Sequence, residues 1–416
     1  MKQLLTILAF LILSMSTKAQ DIYSVGHYNV NNGTIAALYK NNERLYTAHI
    51  TGMTSKAFKV VCNSEGDVFW LVNHYNNNSL ERVEIRKNDQ VYASMEDVDV
   101  IHINDMYCLN DTVYYAGYQL NENGVAIATV WKGEDFATHW VLGNRVHASV
   151  IFDADVDKST GIPYFCGYVN DSVQNAIVWE GSQLLYKLEP AGYRHSSWAN
   201  EISVDNGSVY TNGYVDYSFG GDVYTKGTIW KDNELIHEVS DEEFLGCLYA
   251  QQGDYYYTLD FPHGMYYGVY KNRVEFLHLP YQAMVQRICG DSDDIYMVGS
   301  LQELGTVWKN FEVYLQPNNC SRLYDMVVSY ANVGIDEPDE GAFAVYPNPT
   351  NGILFVEMRR ATSLPEETPY RITNIMGQTV LSGNIAAETQ QINIASLPAG
   401  MYFIIFAGET RKFVVK

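Results

Sequence analysis

The sequence predicts an all-β protein, a seven-bladed β-propeller followed by a small C-terminal β-sandwich. Three observations carry this prediction: a motif that recurs seven times, complementary half-repeats at the two ends of the repeat region, and a tail of alternating runs after an acidic linker. We predict a signal peptide over residues 1–19, the propeller over 20–333, a linker over 334–342 and the sandwich over 343–416.

The first segment is typical of a secretory signal peptide. Lys2 supplies a positive charge, an apolar run follows from Leu4 to Leu13, and Thr17 and Ala19 are the small residues before a cleavage point at Gln20. Because this run is about half the length of a membrane helix and no later run reaches that length, we predict a mature chain without a transmembrane segment.

Composition narrows the class of partner. The chain has 416 residues, of which 47% are hydrophobic and 18% charged, and its net charge is −22. A packed all-β protein is compatible with these values, whereas a strongly acidic surface repels phosphate backbones. We therefore expect no nucleic-acid partner.

The repeat is anchored on a large side chain followed by polar turn residues. Clear copies read "TVWKGEDF", "IVWEGSQL", "TIWKDNEL" and "TVWKNFEV", centred on Trp131, Trp179, Trp230 and Trp308. Weaker copies lie at Tyr39, Ile85 and Tyr270, and the six intervals from Tyr39 to Trp308 average about 45 residues. Each copy holds four short β-rich runs separated by Asn, Asp or Gly turns, which is the pattern of a propeller blade.

The two ends of the repeat region complement each other. The mature chain opens on a second-strand motif, "DIYSVGHY", and the last repeat is followed by a first-strand motif, "SRLYDMVVSY". Pairing Leu323–Ser329 with Tyr23–Tyr28 would complete the seventh blade and remove an exposed edge. An open β-solenoid or two sandwiches are the alternatives, and neither needs these half-repeats.

Residues that recur in every copy are expected to serve the fold. We interpret the repeated Trp residues as packing between blades, with a ligand platform as the alternative. The six cysteines show no metal-ligand spacing, and we expect buried free thiols, although an oxidising compartment would permit pairing.

Charged residues that differ between copies are better candidates for function. Repeat alignment places Asp105, Asp153, Glu201 and Asp325 near the start of the first strand in four blades, with Lys59 and Arg287 nearby in two others. Four carboxylates at a channel mouth would focus negative potential and could hold a cation or a polar ligand. An ordinary hydrated rim is the alternative.

Aromatic residues beside polar ones mark a second candidate surface. The loop before one first strand contributes Tyr193, Arg194, His195 and Trp198, and a neighbouring loop contributes Tyr217, Phe219 and Tyr224. Such groups suit sugar rings or a protein partner, and ordinary loop packing is the alternative.

One stretch resembles a calcium loop. "DADVDKSTG" carries Asp153, Asp155 and Asp157 at alternate positions, but Lys158 replaces the usual glycine and Tyr164 the closing glutamate. In a continuing strand the three carboxylates would instead lie along one face. Calcium is the one cofactor that the sequence leaves open.

The sequence contains no nucleophile-elbow motif, zinc-binding helix motif, phosphate-binding loop or dinucleotide-binding turn. Paired rim carboxylates could in principle cleave glycosides. We therefore predict no catalytic residue and favour a binding protein over a surface glycoside hydrolase or lyase, or a purely structural surface component.

The tail carries a set of ordered motifs. "YPNPTNG", "ITNIMGQTV", "LPAGMYFI" and the terminal "RKFVVK" contain Tyr346, Pro347, Asn348, Pro349, Gly352, Gly377, Gly400 and Tyr402. At these residues the chain resembles the type A C-terminal sorting domain of the type IX secretion system; a generic Ig-like adhesion module is the alternative.

This resemblance implies an Ig-like sandwich and a set of partners. It implies recognition by the outer-membrane translocon, removal of the domain by a sortase-like peptidase, and release or attachment at the cell surface. We therefore predict a secreted or cell-surface cargo, exported via the periplasm, whose propeller binds an unknown glycan or protein.

Overall fold

The computed structural model describes the chain except residues 1–19, 32, 97, 144–145, 189–193, 220, 241–242, 261–266, 281, 292–293, 331–342, 347–349, 351, 359–367, 375–377, 386–388, 407–408 and 416. The predicted signal peptide and linker therefore lie outside the described residues. The described residues are all β-strand, turn and loop, and they form two compact units, one within Gln20–Ala331 and one within Asn332–Lys416.

The described residues of the first unit form 28 strands. They are β1 (Gln20–Val30), β2 (Gly33–Lys40), β3 (Glu43–Ala48), β4 (Thr54–Cys62), β5 (Val68–Asn76), β6 (Ser79–Lys87), β7 (Gln90–Met95), β8 (Ile101–Leu109), β9 (Thr112–Leu120), β10 (Ala126–Lys132), β11 (Ala137–Val141), β12 (Ala148–Val156), β13 (Pro163–Asn170), β14 (Gln174–Glu180), β15 (Gln183–Lys187), β16 (Arg194–Asp205), β17 (Ser208–Phe219), β18 (Asp222–Lys231), β19 (Glu234–Glu238), β20 (Phe244–Gln251), β21 (Asp254–Asp260), β22 (Tyr267–Lys271), β23 (Val274–His278), β24 (Ala283–Gly290), β25 (Ile295–Leu301), β26 (Leu304–Lys309), β27 (Glu312–Leu315) and β28 (Arg322–Tyr330).

These strands form seven antiparallel four-stranded sheets among the described residues. Six sheets use four consecutive strands, from β4–β7 to β24–β27, and the remaining sheet has the order β28-β1-β2-β3. Every sheet therefore matches one copy of the sequence repeat, and the arrangement is like that of β-propeller blades.

The sheet of mixed origin joins the two ends of the unit. Tyr23 pairs with Val327, and Ser24 pairs with Met326, in an antiparallel register. The prediction that these end segments pair is confirmed. Without β28, one edge of β1 would have no partner strand. The pairing covers that edge.

The first strands of the sheets, β4, β8, β12, β16, β20, β24 and β28, are the inner strands. Each contacts the inner strand of the next sheet, and β28 in turn contacts β4. The sequence of contacts therefore returns to its starting point.

Apolar side chains fill the spaces between neighbouring sheets. Trp179 is 1% exposed and packs in one cluster with Tyr107 and Val130 of the preceding sheet. Trp131, Trp230 and Trp308 are buried in the same way. The interpretation of the repeated Trp residues as packing between sheets is confirmed, as is that of the cysteines as free thiols, although Cys62, Cys108 and Cys289 are only partly buried.

A polar turn explains the residues that follow the anchor of the repeat, as in the copy at Ile85. Asn88 has a φ of 54°, which asparagine tolerates, and its Oδ1 accepts the backbone N–H of Val68 at 3.0 Å. Its Nδ2 donates to Asp67, which also pairs with Lys87 at 2.7 Å. Equivalent Lys–Asp pairs occur at Lys40, Lys271 and Lys309, so this part of the repeat closes each turn onto its own sheet.

In the part of the second unit that the structure describes, there are seven strands. They are β29 (Phe343–Tyr346), β30 (Ile353–Met358), β31 (Thr368–Asn374), β32 (Thr379–Ile385), β33 (Thr389–Asn393), β34 (Gly400–Phe406) and β35 (Glu409–Val415). They form two antiparallel sheets, β29-β30-β33 and β32-β31-β34-β35. Both sheets contribute buried side chains, such as Leu354 and Ile404, to one core.

Candidate functional site

The candidate site is built on an irregularity that all seven sheets share. In each sheet the register between the inner strand and its neighbour shifts at an equivalent point, and β16 has a second shift between Arg194 and Ser196. The shift precedes the residues Lys59, Asp105, Asp153, Glu201, Arg287 and Asp325, which we call the charge ring; in the remaining sheet it spans Gly246 and Cys247. A β-bulge re-aims a side chain, and here it does so at equivalent positions around the unit.

In five of the seven described sheets a glycine of the second strand lies opposite this bulge, whereas Val72 and Leu259 stand there in the other two. A Cβ on Gly117 would lie 1.9 Å from the carbonyl oxygen of His102, and one on Gly167 would lie 1.8 Å from that of Val150. No larger residue fits such a close approach. The glycine of the recurring motifs "YYAGYQ" and "YFCGYV" therefore serves the backbone geometry of the site.

Each ring carboxylate binds the backbone of the next sheet. Asp105 accepts the N–H of Ala154 at 3.0 Å, Asp153 that of Ile202 at 3.0 Å, and Glu201 that of Leu248 at 2.6 Å. Asp325 accepts the N–H of Val60 at 3.0 Å. These four bonds link successive inner strands, so the carboxylates hold the sheets together.

The two ring cations lie among the same carboxylates. Lys59 Nζ is 2.7 Å from Asp105 and 3.7 Å from Asp153. Arg287 Nε is 3.1 Å from Asp325, and its Nη1 is 3.6 Å from Asp153. The structure therefore brings the sequence-predicted rim residues together as a network of four carboxylates and two cations.

The network divides the carboxylates into two electrostatic classes. Burial opposes ionisation of Asp105, but Lys59 and Arg287 outweigh it and lower the pKa of that carboxyl. Burial, and then the charge of Asp105, raises the pKa of Asp153 well above its ordinary value. Burial also raises the pKa of Glu201 and of Asp325. A proton is therefore held more readily at Asp153 than at Asp105.

A cavity of about 320 Å³ opens beside the charge ring. We call it the ring cavity, and its lining residues are Phe58, Lys59, Leu71, Asn73, Ile103, Asn104, Glu201, Gln286, Arg287 and Tyr324. They come from the inner strands of five sheets and from β5. Of the four carboxylates expected at the rim, only Glu201 lines this cavity, whereas Asp105, Asp153 and Asp325 are buried behind it.

Several lining residues were missed by sequence reasoning. Phe58, Asn104, Gln286 and Tyr324 each stand immediately before a ring residue, at the bulge itself. Their types differ from blade to blade, so no motif marks them. These residues could have been predicted only from their position, because each stands one residue before a charged residue that the repeat alignment places in the ring.

The predicted aromatic surface is only partly described. Trp198 lies three residues before Glu201 in the same strand. It is half-buried, and its ring lies 5.8 Å from that of Tyr214. Arg194 begins β16 and His195 follows it, while Tyr193 lies outside the described residues. In the adjacent hairpin, Tyr217 and Tyr224 stack at 5.6 Å.

The three aspartates of the calcium-like stretch make separate contacts. Asp153 and Asp155 lie in the continuing strand β12, where Asp155 accepts the N–H of Val204 at 2.7 Å. Asp157 lies beyond the strand and accepts from the N–H and hydroxyl of Ser159. Among the described residues, no group of three or more His, Cys, Asp or Glu side chains is arranged to hold a metal ion.

The sorting-motif residues fall in the second unit. Tyr402 is buried in its core and donates from its hydroxyl to the carbonyl of Pro398 at 2.9 Å. Gly352 has a φ of 82°, Gly400 begins β34, and Tyr346 ends β29. Pro347, Asn348, Pro349 and Gly377 lie outside the described residues.

Residues 344–416 match the family described as the secretion system C-terminal sorting domain. This match confirms the resemblance to a type IX sorting domain that the tail motifs indicated. It covers under a fifth of the chain and indicates export to the cell surface or secretion via the periplasm. No curated protein matches the chain.

Solved structures resemble the chain at low sequence identity. PorZ, described as an essential bacterial surface component of the type-IX secretion system of Porphyromonas gingivalis, has 9% identity and a TM-score of 0.27, covering 93% of this chain and 81% of that one. The β-propeller domain of the Trilobed protease from Pyrococcus furiosus has 13% identity and a TM-score of 0.38, covering 72% and 93%. BamB from Moraxella catarrhalis has 9% identity and a TM-score of 0.36, covering 74% and 94%. Likenesses at this level are no guide to function.

In the described part of the chain, no helix could cross a membrane.

Proposed function

We propose that this protein is a type IX secretion cargo whose seven sheets form a closed seven-bladed β-propeller and whose tail is an Ig-like sorting domain. The contacts between inner strands that return from β28 to β4 support the closed propeller. Two antiparallel sheets around one core support the Ig-like sandwich. The predicted domain boundaries, with a signal peptide over residues 1–19, complete the proposal.

The sorting domain is proposed to direct the propeller across the outer membrane. The match over residues 344–416 is the observation that carries this step. The translocon and a sortase-like peptidase are the proposed partners. The signal peptide would take the chain across the inner membrane first.

Truncation tests the export role. A chain that ends at Tyr330 keeps β28, and with it the pairing that completes the sheet of mixed origin. In a host with a type IX secretion system, we expect the full chain outside the outer membrane and the truncated chain in the periplasm. Protease accessibility on intact cells separates the two locations. Equal surface exposure of both chains would refute an export role for the tail.

The propeller is proposed to bind a glycan or protein ligand at the ring cavity. The observation that carries this proposal is a cavity of about 320 Å³ lined by aromatic, amide and charged side chains from five inner strands. Mixed linings of this kind are typical of ligand sites. A hydrolase is less well supported, since each ring carboxylate already binds a backbone N–H.

A glycan array tests the binding role. We expect the full chain to bind a subset of oligosaccharides, and Tyr324→Ala to weaken that binding because this ring lines the ring cavity. Leu184→Ala, at an exposed position on the outer strand β15, is the control. Turnover of a model glycoside without retention on the array would favour the enzyme instead.

A further inference from the structure

The ring cavity exposes two cations and one carboxylate, where the sequence predicts four exposed carboxylates. The side chains of Lys59 and Arg287 are 18% and 30% exposed, whereas those of Asp105, Asp153 and Asp325 are 2%, 7% and 6% exposed. A ligand that enters the cavity therefore meets these two cations and Glu201 rather than four carboxylates. The three buried carboxylates lie behind them and hold them in place.

Both cations keep donors beyond those used by their partners. Arg287 contacts Asp325 through Nε and Asp153 through Nη1, which leaves its Nη2. Lys59 has three N–H groups and contacts two carboxylates, at 2.7 and 3.7 Å. The two cations come from different sheets, so a small anion between them would receive hydrogen bonds from two directions.

The rest of the lining favours a ligand that also carries hydroxyl groups. Glu201 lines the cavity and uses Oε2 to accept the N–H of Leu248, which leaves Oε1 to accept from a ligand hydroxyl. Asn104 and Gln286 add amide groups at the wall. A purely anionic ligand such as a phosphate ester would face Glu201 without a hydroxyl to donate to it.

An apolar surface completes the chemistry. Phe58 lines the cavity together with Tyr324, and their ring centroids are 4.8 Å apart. Aromatic faces pack against the C–H surfaces of sugar rings while polar neighbours bind the hydroxyls. Cations, a hydroxyl acceptor and aromatic rings thus surround one small space.

We propose that the ring cavity binds an acidic sugar residue, with Lys59 and Arg287 holding its carboxylate and Glu201 accepting one of its hydroxyls. This inference rests on the proposed ligand-binding function of the propeller and names the ligand class. Four exposed carboxylates would attract a cation, whereas the cavity lined by Lys59 and Arg287 is proposed to bind an anion.

Matched oligosaccharide pairs test the proposal. The full chain is titrated by calorimetry with trigalacturonic acid, with sialyllactose, and with the carboxyl-reduced form of each. We expect at least one acid to bind about tenfold more tightly than its reduced form. Its affinity should fall with added salt, while that of the reduced form should not.

Charge changes at the cavity wall provide the variant test. Gln286→Glu adds a carboxylate beside Arg287 without removing any ring residue, and we expect it to weaken binding of the acid about tenfold. Gln286→Lys should preserve or strengthen that binding. Gln90→Glu, at an exposed position on β7, is the control for net charge.

The outcomes separate the two levels of the proposal. Equal binding of an acid and its reduced form would overturn the carboxylate inference and leave a glycan-binding propeller. Preference for an acidic peptide over every acidic sugar would also overturn it and indicate a protein ligand. If neither these pairs nor a wider glycan array gave binding, the proposed glycan-binding function would fail together with the inference.

Discussion

One group of ion pairs is buried inside the sheet that β6 belongs to, around Glu84. Glu84 is 5% exposed, and its carboxylate accepts from Arg86 at 2.8 Å and from Arg82 at 3.0 Å. His74 lies 3.5 Å away and is itself bonded to Ser55. Because Ser55, His74 and Glu84 are all buried, this Ser–His–Glu sequence of contacts serves the fold and is out of reach of a substrate.

Acid sensitivity follows from the same group. Burial opposes ionisation of Glu84, but hydrogen bonds from His74 and Arg86 outweigh it and lower its pKa from about 4.5 to about 2. A depressed carboxyl pKa contributes stability above its unfolded value, and this contribution is lost as pH falls toward the folded value. We therefore predict that Glu84→Gln destabilises the protein at neutral pH and that the difference from wild type shrinks below about pH 4.5.

Urea unfolding at several pH values measures this difference. Glu81→Gln, at an exposed position on the same strand, serves as the control and should match wild type throughout. A destabilisation by Glu84→Gln that stays constant between neutral and acid pH would contradict the assigned role of the carboxylate.

At the scale of elements, the sheets depend on the side chains that pack between them. Trp179 stands in the third strand of its sheet and reaches into a cluster shared with the preceding one. We predict that Trp179→Ala lowers the free energy of unfolding by about 3–5 kcal/mol, since the truncation leaves a large cavity.

An exposed partner of the same sheet gives the control for Trp179. Leu184 pairs directly with Trp179 across the sheet and is 59% exposed. Leu184→Ala should change stability by under about 0.5 kcal/mol. Similar losses for the two variants, measured by thermal or chemical unfolding, would argue against packing between sheets as the role of Trp179.

The repeat made the strand pattern of the first unit predictable, because each copy carries both its buried residues and its turn residues. The Gly of the second-strand motif and the polar turn after the third strand recur in most copies, so they point to geometry that most of the sheets share. The charge ring could be aligned for the same reason. The direction in which its side chains point could not be predicted, since it depends on a one-residue bulge such as that between Ile103 and Asp105.

The sequence also could not predict which charged side chains of the ring are exposed, because exposure depends on tertiary packing. The sequence predicts four carboxylates at a rim, but burial of Asp105, Asp153 and Asp325 depends on how closely neighbouring inner strands approach. That distance is set by tertiary packing between residues far apart in the chain, such as Asp105 and Ala154, which are 49 positions apart. The tail was more predictable, because its motifs recur across a family and mark the domain directly.

At the scale of the whole molecule, stability depends on how the first unit joins its two ends. β28 supplies the inner strand of the sheet whose other three strands are β1, β2 and β3, and Asp325 ties it to the next inner strand through Val60. Because β1 and β28 pair with each other, separating either end of the unit from this sheet breaks hydrogen bonds of both strands.

Hydrogen exchange followed by mass spectrometry tests this closure most directly. If β1 and β28 pair as described, peptides covering Tyr23–Tyr28 and Leu323–Ser329 will exchange as slowly as those of the central sheets, and both will lose protection together as urea is added. Fast exchange of either segment while the sheets between them stay protected would contradict the closed propeller.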